Sequence, residues 1–308
     1  MQYGIDIGGT KIELGIFDKD LNLLSSQRIQ TPTEDYAAFL QSILSLVEQA
    51  DQQYPEERSV GIGLPCVIDS NNVAVSSNIP CINGKDVYTD IRNKLKCPVG
   101  FGNDCETFAL SESVYGTGKN HSKVLSVILG TGVNSTLCEQ GQLFTSRNRI
   151  AGEWGHVILN AVHQKRYDLP LLECGCGSIG CIERYVSGKG LEWLYTYMGG
   201  NQACAQTVMT KMRLGDTLAT KTFHCFLDIL AYSFAQLVIY YDPDVIVVGG
   251  GISNIPEIYS HLPNLMSEYL FKGVLPPNIV EAEFGDYSGM RGAAILGRDV
   301  IQSLTLEA

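Results

Sequence analysis

The sequence predicts an α/β protein built from two domains. The chain has 308 residues, 45% of them apolar and 18% charged, which is enough for two cores of globular composition. Apolar strand patterns alternate with helical patterns, and two strands run directly into glycine turns, at Gly8 and at Gly130. A flexible glycine-containing link covers 116–121. We therefore expect a small N-terminal domain at 1–118 and a larger domain at 119–289.

Charge and cysteine usage narrow the class of protein. The formal net charge of −11 argues against nucleic acid or an anionic membrane as a partner. A strand pattern begins directly after Met1, without the regions of a signal peptide, and no apolar run approaches the length of a membrane span. Ten cysteines in such a chain indicate reduced thiols. We expect a cytoplasmic protein in which cysteines bind metal rather than form disulfides.

The first glycine turn follows a buried strand that ends near Asp6. Gly8, Gly9, Thr10 and Lys11 form the turn, and alternating apolar residues then begin the returning strand. Glycine carries no Cβ, so the turn backbone can approach a phosphate closely. The spacing is not that of a P-loop. A Gly-Gly hairpin is usually only a hairpin, so this turn alone is a weak signal.

Two helices are expected to form core structure. Thr31-Pro32-Thr33-Glu34 has the pattern of a capping box, followed by apolar residues at helical spacing from 36 to 50. A second, longer helix is predicted at 217–240, where Asp242-Pro243 ends it.

Asn103 and Asp104 stand between a short strand and a helix predicted at 105–115. A carboxylate at the start of a helix is commonly its N-cap. It can also be a general base, because phosphoryl transfer to a hydroxyl needs a carboxylate that accepts the proton. The residue pattern alone leaves both interpretations open.

Three cysteines and a histidine predict a metal site. Cys174, Cys176 and Cys181 lie within eight residues, and the intervening glycines let the backbone curl so that the thiols converge. Three thiolates and one imidazole suit a closed tetrahedral zinc site, which is structural because no coordination position is open. The fourth ligand is His156 or His163, and we favour His156. Ordinary buried cysteines are the alternative interpretation.

A third glycine turn follows the buried strand pattern at 244–248. Gly249, Gly250 and Gly251 form a surface that can lie under a nucleobase or a phosphate.

Glu153-x-Gly-His156 followed by Cys-Gly-Cys-Gly-x-x-Gly-Cys-x-Glu183 resembles the signature of the ROK family (repressor, open reading frame, kinase). The resemblance covers essentially the whole chain and is greatest to the bacterial N-acetylglucosamine kinases. It implies a two-domain actin-like ATPase fold with a ribonuclease H-like βββαβα core and an interdomain cleft. It also implies that a C-terminal helix at about 290–308 joins the first domain, and that the protein forms a homodimer.

The implied activity is ATP-dependent phosphorylation of N-acetyl-D-glucosamine at O6, with Mg²⁺, giving N-acetylglucosamine 6-phosphate and ADP. Asp104 would be the catalytic base. The residues implied to bind sugar are Gly63, Asn78, Asn103, Asp104, Glu153, His156 and Glu183, although Asn78 equally suits a turn. Those implied to bind nucleotide are Asp6, Gly8, Gly9, Thr10, Lys11, Gly130, Thr131, Gly132, Val133, Asn134, Gly249, Gly250 and Gly251. The alternatives are a kinase for glucose, N-acetylmannosamine or another hexose, and a sugar-binding regulator.

The chain departs from the family pattern at two sensitive places. The family usually has glycines where this chain has Asn134, Ser135 and Thr136, and a positive φ at Thr136 would cost about 1–2 kcal/mol. The family's second asparagine after Asn103-Asp104 is Glu106, whose like charge is expected to raise the pKa of the proposed base.

Overall fold

The computed structural model describes residues 1–306 except 70, 77, 145, 148 and 149. The chain forms two compact units. The first comprises Met1–Gly116, Gly141–Ile150 and Phe284–Ala308, and the second comprises Thr117–Gln140 and Ala151–Glu283. The domain limits predicted from the sequence stay predictions.

The secondary structure follows the predicted alternation of strands and helices. The strands are β1 (Gln2–Ile7), β2 (Lys11–Phe17), β3 (Leu23–Gln30), β4 (Ser59–Gly63), β5 (Val67–Ile68), β6 (Ala74–Val75), β7 (Val99–Gly102), β8 (Lys123–Leu129), β9 (Val133–Glu139), β10 (Gln142–Leu143), β11 (Val245–Gly249) and β12 (Asn278–Glu281). The helices are α1 (Tyr36–Gln53), α2 (Val87–Leu95), α3 (Asp104–Val114), α4 (Ala161–Tyr167), α5 (Glu183–Val186), α6 (Gly188–Tyr197), α7 (Ala205–Arg213), α8 (Thr217–Tyr241), α9 (Pro256–Met266) and α10 (Ser288–Leu306).

The sheets of the two units share one strand pattern. In the first unit the order is β3-β2-β1-β4-β7, with β1 antiparallel to β2 and parallel to β4. In the second unit β9, β8, β11 and β12 are neighbours in that order, with β8 antiparallel to β9 and parallel to β11. An antiparallel pair leading into parallel strands therefore occurs twice, which confirms the predicted α/β fold. Loops after parallel strands gather at one edge of a sheet, so the second unit presents its two glycine turns, after β8 and β11, together.

The C-terminal helix α10 packs so closely on the first sheet that its backbone atoms approach the glycines of β1 and β4. A Cβ added to Gly61 on β4 would lie 1.7 Å from the carbonyl oxygen of Ala293, and one added to Gly4 on β1 would lie 1.8 Å from that of Met290. No side chain larger than glycine fits at either position. The first and last segments of the chain therefore form one core.

Helix α8 forms the centre of the second unit. The expectation that no stretch approaches a membrane span is wrong for this helix, which has the length and hydropathy of one and is the single such helix among the residues described. However, 78% of its most apolar stretch is buried. That degree of burial is typical of a core helix. Asp242, with φ 44°, ends it in the left-handed conformation directly before Pro243, as the sequence predicted.

The predicted capping box at Thr31–Glu34 is wrong. Helix α1 begins at Tyr36, and Asp35 caps it by accepting hydrogen bonds from the N–H groups of Ala37 and Ala38. Thr31 instead continues from β3, and its hydroxyl donates a hydrogen bond of 2.7 Å to the carbonyl of Gly8. The tertiary bond to the first glycine turn replaces the local capping bond.

A buried carboxylate on α8 fastens the segment that carries the cysteines. Asp228 accepts hydrogen bonds from Tyr167 (2.7 Å), Tyr269 (2.5 Å) and Arg166 (2.6 Å), and His163 Nε2 lies 3.4 Å away. Burial raises the pKa of Asp228, but the hydrogen bonds from Tyr269, Tyr167 and Arg166 outweigh it and hold the pKa below its ordinary value. These bonds fix α4, which connects His156 to Cys174, on the core helix.

Replacing Asp228 with alanine is expected to lower the free energy of unfolding by about 3 kcal/mol, because two half-buried tyrosine hydroxyls lose their acceptor. The matched control is Arg166→Ala. The Arg166 side chain is 47% exposed, so its loss should cost less than about 1 kcal/mol. Both tryptophans, Trp154 and Trp193, lie in the second unit, so urea unfolding followed by their fluorescence measures this unit. Equal losses in the two variants would contradict the prediction.

Candidate active site

Asp6 lies at the end of β1 in a space kept open by glycines. A Cβ added to Gly63 would lie 3.0 Å from Thr107 Cγ2 and 3.5 Å from Asp6 Oδ1. A Cβ added to Gly289, at the start of α10, would lie 2.5 Å from Asp6 Oδ2. Both glycines therefore leave room for this carboxylate. Gly289 was not among the predicted site residues, because nothing in its sequence context distinguishes contact with a carboxylate from ordinary helix packing.

The first glycine turn is closed by a backbone hydrogen bond of 2.8 Å from Gly8 to Lys11. A Cβ added to Gly9 would lie 2.8 Å from the carbonyl oxygen of Asn78, so the turn lies directly against that residue. The ammonium of Lys11 forms an ion pair with Glu13. The structure thus places the predicted sugar residue Asn78 beside the predicted phosphate turn, within the first unit.

Asn103, and not Asp104, caps helix α3. Asn103 Oδ1 accepts a hydrogen bond of 2.7 Å from the N–H of Glu106, and Glu106 Oε2 accepts one of 2.8 Å from the N–H of Asn103. This is a complete capping box. Asp104 is the first residue of the helix, and its carboxylate accepts a hydrogen bond of 3.1 Å from the N–H of Cys105. The carboxylate is therefore not needed as the N-cap.

The Asp104 carboxylate has a raised pKa. Its side chain is exposed to solvent, yet the surrounding protein atoms desolvate the carboxylate and raise its pKa above the ordinary value, against the effect of backbone hydrogen bonds. Glu106, whose charge was expected to raise this pKa, is not among the causes of the shift. Its carboxylate is hydrogen-bonded to the N–H of Asn103. Desolvation destabilises the charged form and so makes the carboxylate a stronger base.

The structure brings the three cysteines and His156 together. Their ligand atoms all lie within 4.8 Å of one another. Cys176 Sγ lies 3.6 Å from Cys181 Sγ, and Cys174 Sγ lies 3.7 Å from His156 Nδ1. Zinc bonds of about 2.0–2.3 Å in a tetrahedron place ligands about 3.5–3.8 Å apart. The donor set and its spacing therefore fit a zinc ion.

Local backbone conformation explains why the thiols converge. Gly177 (φ +89°) and Gly180 (φ +85°) take the left-handed conformation that glycine adopts most readily. A backbone bridge between Ile158 and Cys181 holds the cysteine segment against the histidine segment. The alternative ligand, His163, is buried with Nδ1 2.7 Å from Asn160 Nδ2 and is not in the cluster.

The second and third glycine turns adjoin at one edge of the second sheet. The N–H of Gly130 donates to the carbonyl of Gly132 (2.9 Å), and the N–H of Gly188 donates to the carbonyl of Gly130 (2.9 Å). Gly250 has φ +85°, and a Cβ added to it would lie 2.5 Å from the carbonyl oxygen of Leu129. The turns predicted to bind phosphate and adenosine therefore touch through backbone atoms.

The first two residues of β9 bind the two carboxylates predicted to contact sugar. The N–H of Val133 donates a hydrogen bond of 3.1 Å to Glu183 Oε2, and Asn134 Nδ2 donates one of 2.6 Å to Glu153 Oε1. Glu153 Oε2 lies 3.8 Å from His156 Nε2. Glu153, His156 and Glu183 therefore lie together at the start of this strand.

The segment 134–136 does not have the backbone strain that a positive φ at Thr136 would cause. Asn134, Ser135 and Thr136 lie in the extended strand β9, and none of them has a positive φ. The strand accepts β-branched residues without the cost of a left-handed conformation.

Comparison with known proteins identifies the family. A model of the ROK family matches residues 2–300. The N-acetylgalactosamine kinase AgaK of Shewanella sp. (strain ANA-3) is 46% identical over 308 residues, which is 100% of both chains. The N-acetyl-D-glucosamine kinase of Pectobacterium carotovorum subsp. carotovorum (strain PC1) is 40% identical over 299 residues, covering 96% of this chain and 98% of that protein.

Solved structures agree with this assignment. The ROK hexokinase from Thermus thermophilus is 27% identical and superimposes with a TM-score of 0.86, covering 98% of this chain and 99% of that one. The family signature at 153–183, the repeated sheet and this full-length similarity lead to one conclusion. The chain belongs to the ROK family.

Proposed function

We propose that this ROK protein is an ATP-dependent kinase that phosphorylates O6 of N-acetyl-D-glucosamine, giving N-acetylglucosamine 6-phosphate and ADP. The observation that carries the proposal is near full-length identity of 40–46% to two kinases whose names specify N-acetylated hexosamines. Kinase activity on a sugar also agrees with the family.

In the proposed reaction Asp104 is the general base. The bond from O6 to the γ-phosphorus forms while the bond from that phosphorus to the β-phosphate oxygen breaks, and the O6 proton moves to the Asp104 carboxylate. This role is supported by two observations: the carboxylate is not the helix cap, and its raised pKa increases its basicity.

The sugar is held by hydrogen bonds to its hydroxyl groups. In the second unit Glu153, His156 and Glu183 supply two carboxylates and an imidazole at the start of β9. In the first unit the candidates are Gly63, Asn78, Asn103 and Asp104.

The metal in the cysteine cluster is proposed to be structural zinc, held by His156, Cys174, Cys176 and Cys181. Bound through Nδ1, it would fix the imidazole so that Nε2 faces Glu153. This orientation prearranges a sugar contact, as ligand-supporting groups do in other sites.

The nucleotide is assigned to the three glycine turns. Backbone N–H groups of the turns at Gly8 and Gly130 would bind phosphate, and the turn at Gly250 would lie under the adenosine. Mg²⁺ would neutralise charge on the phosphates, and Asp6 is the candidate carboxylate near it. Lys11 is paired with Glu13, so its charge is partly neutralised already.

N-acetylgalactosamine is a second candidate substrate, favoured by the 46% identity to a kinase named for it. The two sugars differ only in the configuration at C4. Release of ADP is to be measured with N-acetylglucosamine, N-acetylgalactosamine, N-acetylmannosamine and glucose, with Asp104→Ala as the control. The highest kcat/KM for an N-acetylated hexosamine supports the proposal. Sugar binding without turnover above the control would instead favour a regulator.

A cytoplasmic homodimer is the proposed state of the protein. All ten cysteines are free thiols, which supports a reducing compartment. Sedimentation of the purified protein tests the dimer.

A further inference from the structure

Polar contacts in the second unit form a closed chain that begins and ends on β9. Asn134 Nδ2 donates a hydrogen bond to Glu153, and the N–H of Val133 donates one to Glu183. From Glu153 the chain continues to His156 Nε2 (3.8 Å) and from His156 Nδ1 to Cys174 Sγ (3.7 Å). Cys174 Sγ in turn lies 3.9 Å from Glu183 Oε1. The strand start and the cysteine cluster therefore support the same two carboxylates.

Asn134 is the member of this chain that stands where the family resemblance leads us to expect glycine. Its amide orientation is set by a second bond, because the N–H of Ser135 donates to Asn134 Oδ1 (2.6 Å). With the oxygen occupied, Nδ2 is the atom that faces Glu153. Gly152, whose added Cβ would lie 3.3 Å from Asn134 Oδ1, leaves room for the amide.

The bond from Nδ2 to Glu153 is short and involves a charged acceptor, the kind of hydrogen bond that holds a side chain most firmly. Glu153 is one-third exposed, with 33% of its side chain accessible. Without a donor at 134, one oxygen of this carboxylate would lose a fixed partner. Glycine at 134 would leave the rotamer of Glu153 less restricted.

We propose that Asn134 is a positioning residue for sugar recognition, which acts by holding the Glu153 carboxylate, and is not a ligand of the nucleotide phosphates. The inference rests on the proposed function, because Glu153 is assigned to the sugar there. It changes the expected role of Asn134, which sequence resemblance placed among the nucleotide-binding residues. Substitution of Asn134 is therefore expected to weaken the binding of sugar and not the binding of ATP.

The test uses Asn134→Gly, which restores the usual family residue, and Asn134→Ser, which keeps a polar side chain too short to reach Glu153. Sugar affinity is measured by calorimetry with N-acetylglucosamine and N-acetylgalactosamine in the absence of ATP. Both variants are expected to bind the preferred sugar about tenfold more weakly, as loss of a hydrogen bond to a charged group predicts. The KM for ATP should change less than twofold. Thr136→Ala, two residues further along the same strand, is the matched control and should match the unmodified protein.

A double-mutant cycle with Glu153→Gln separates positioning from a general loss of structure. In the Glu153→Gln protein, Asn134→Gly should cause little further loss of sugar affinity, because the interaction that it removes is already weakened. The inference is overturned if Asn134→Gly raises the KM for ATP while sugar affinity is unchanged, or if the two losses are additive. If the unmodified protein binds none of the sugars, the proposed function fails. If it binds a sugar and Asn134→Gly leaves that affinity unchanged, only the role of Asn134 is refuted.

Discussion

Replacing Asp104 with asparagine is expected to lower kcat by about 10²–10⁴-fold, the contribution typical of a general base. Asparagine has nearly the same shape, so it preserves the packing at the start of α3 while removing the proton acceptor. The capping box between Asn103 and Glu106 does not involve this side chain, so helix α3 should be unaffected. Steady-state release of ADP with saturating sugar and ATP measures the effect.

The acid limb of the pH profile provides an independent check on Asp104. Only the ionised carboxylate accepts a proton, so activity is present above its pKa and is lost as the pH falls through it. Because desolvation raises the pKa of Asp104, kcat/KM should begin to fall at a pH above the ordinary aspartate value of about 3.9. The residual activity of the asparagine variant should lack this limb. A variant that retains the limb, or that retains more than about one-tenth of kcat, would refute the assignment of Asp104 as base.

Replacing Cys181 with serine is expected to remove bound zinc and weaken sugar binding by about 10–100-fold, the usual cost of losing support for a site residue. The thiol is buried, lies 3.6 Å from Cys176 Sγ, and belongs to the segment bridged to Ile158. Without it the cluster has lost a ligand, and His156 is no longer fixed. Zinc content is measured by elemental analysis and sugar affinity by calorimetry.

Cys204→Ser is the matched control for this prediction, because Cys204 is an exposed free cysteine outside the cluster. It should retain about one zinc ion per chain, as expected for a single four-ligand site, and the full sugar affinity. Loss of zinc from the Cys181 variant without any change in sugar affinity would show that the cluster does not support the sugar site.

The fold could be predicted because its signals are local. Short residue patterns predict three of its elements: the strand that ends in the first glycine turn, the helix after Asn103, and the helix that ends at Asp242-Pro243. The capping box at Thr31 failed because its threonine bonds to Gly8, which is distant in sequence. A local pattern carries no information about such a partner.

In the candidate site, too, features with local sequence signals could be predicted, whereas contacts between distant residues could not. The three cysteines of the proposed metal site could be identified because they are close in sequence, and the glycines between them indicate how the backbone turns. The bond of Asn134 to Glu153 could not be foreseen, since 18 residues separate the two and no periodicity relates them. The interpretation of Glu106 also changed. Asn103-x-x-Glu106 has the spacing of a capping box, so its hydrogen bond to Asn103 was detectable in the sequence, where only its charge was used.

The backbone packing of α10 on β1 and β4 has a consequence for biosynthesis. Strand β1 is translated before the second unit, whereas the helix that covers it is translated after that unit, so the core of the first unit cannot be completed until the second unit has been made. Meanwhile the strands and helices of the second unit are complete by Glu283 and can fold first. A nascent chain truncated before α10 should therefore expose the apolar face of its earliest strands and depend on chaperones.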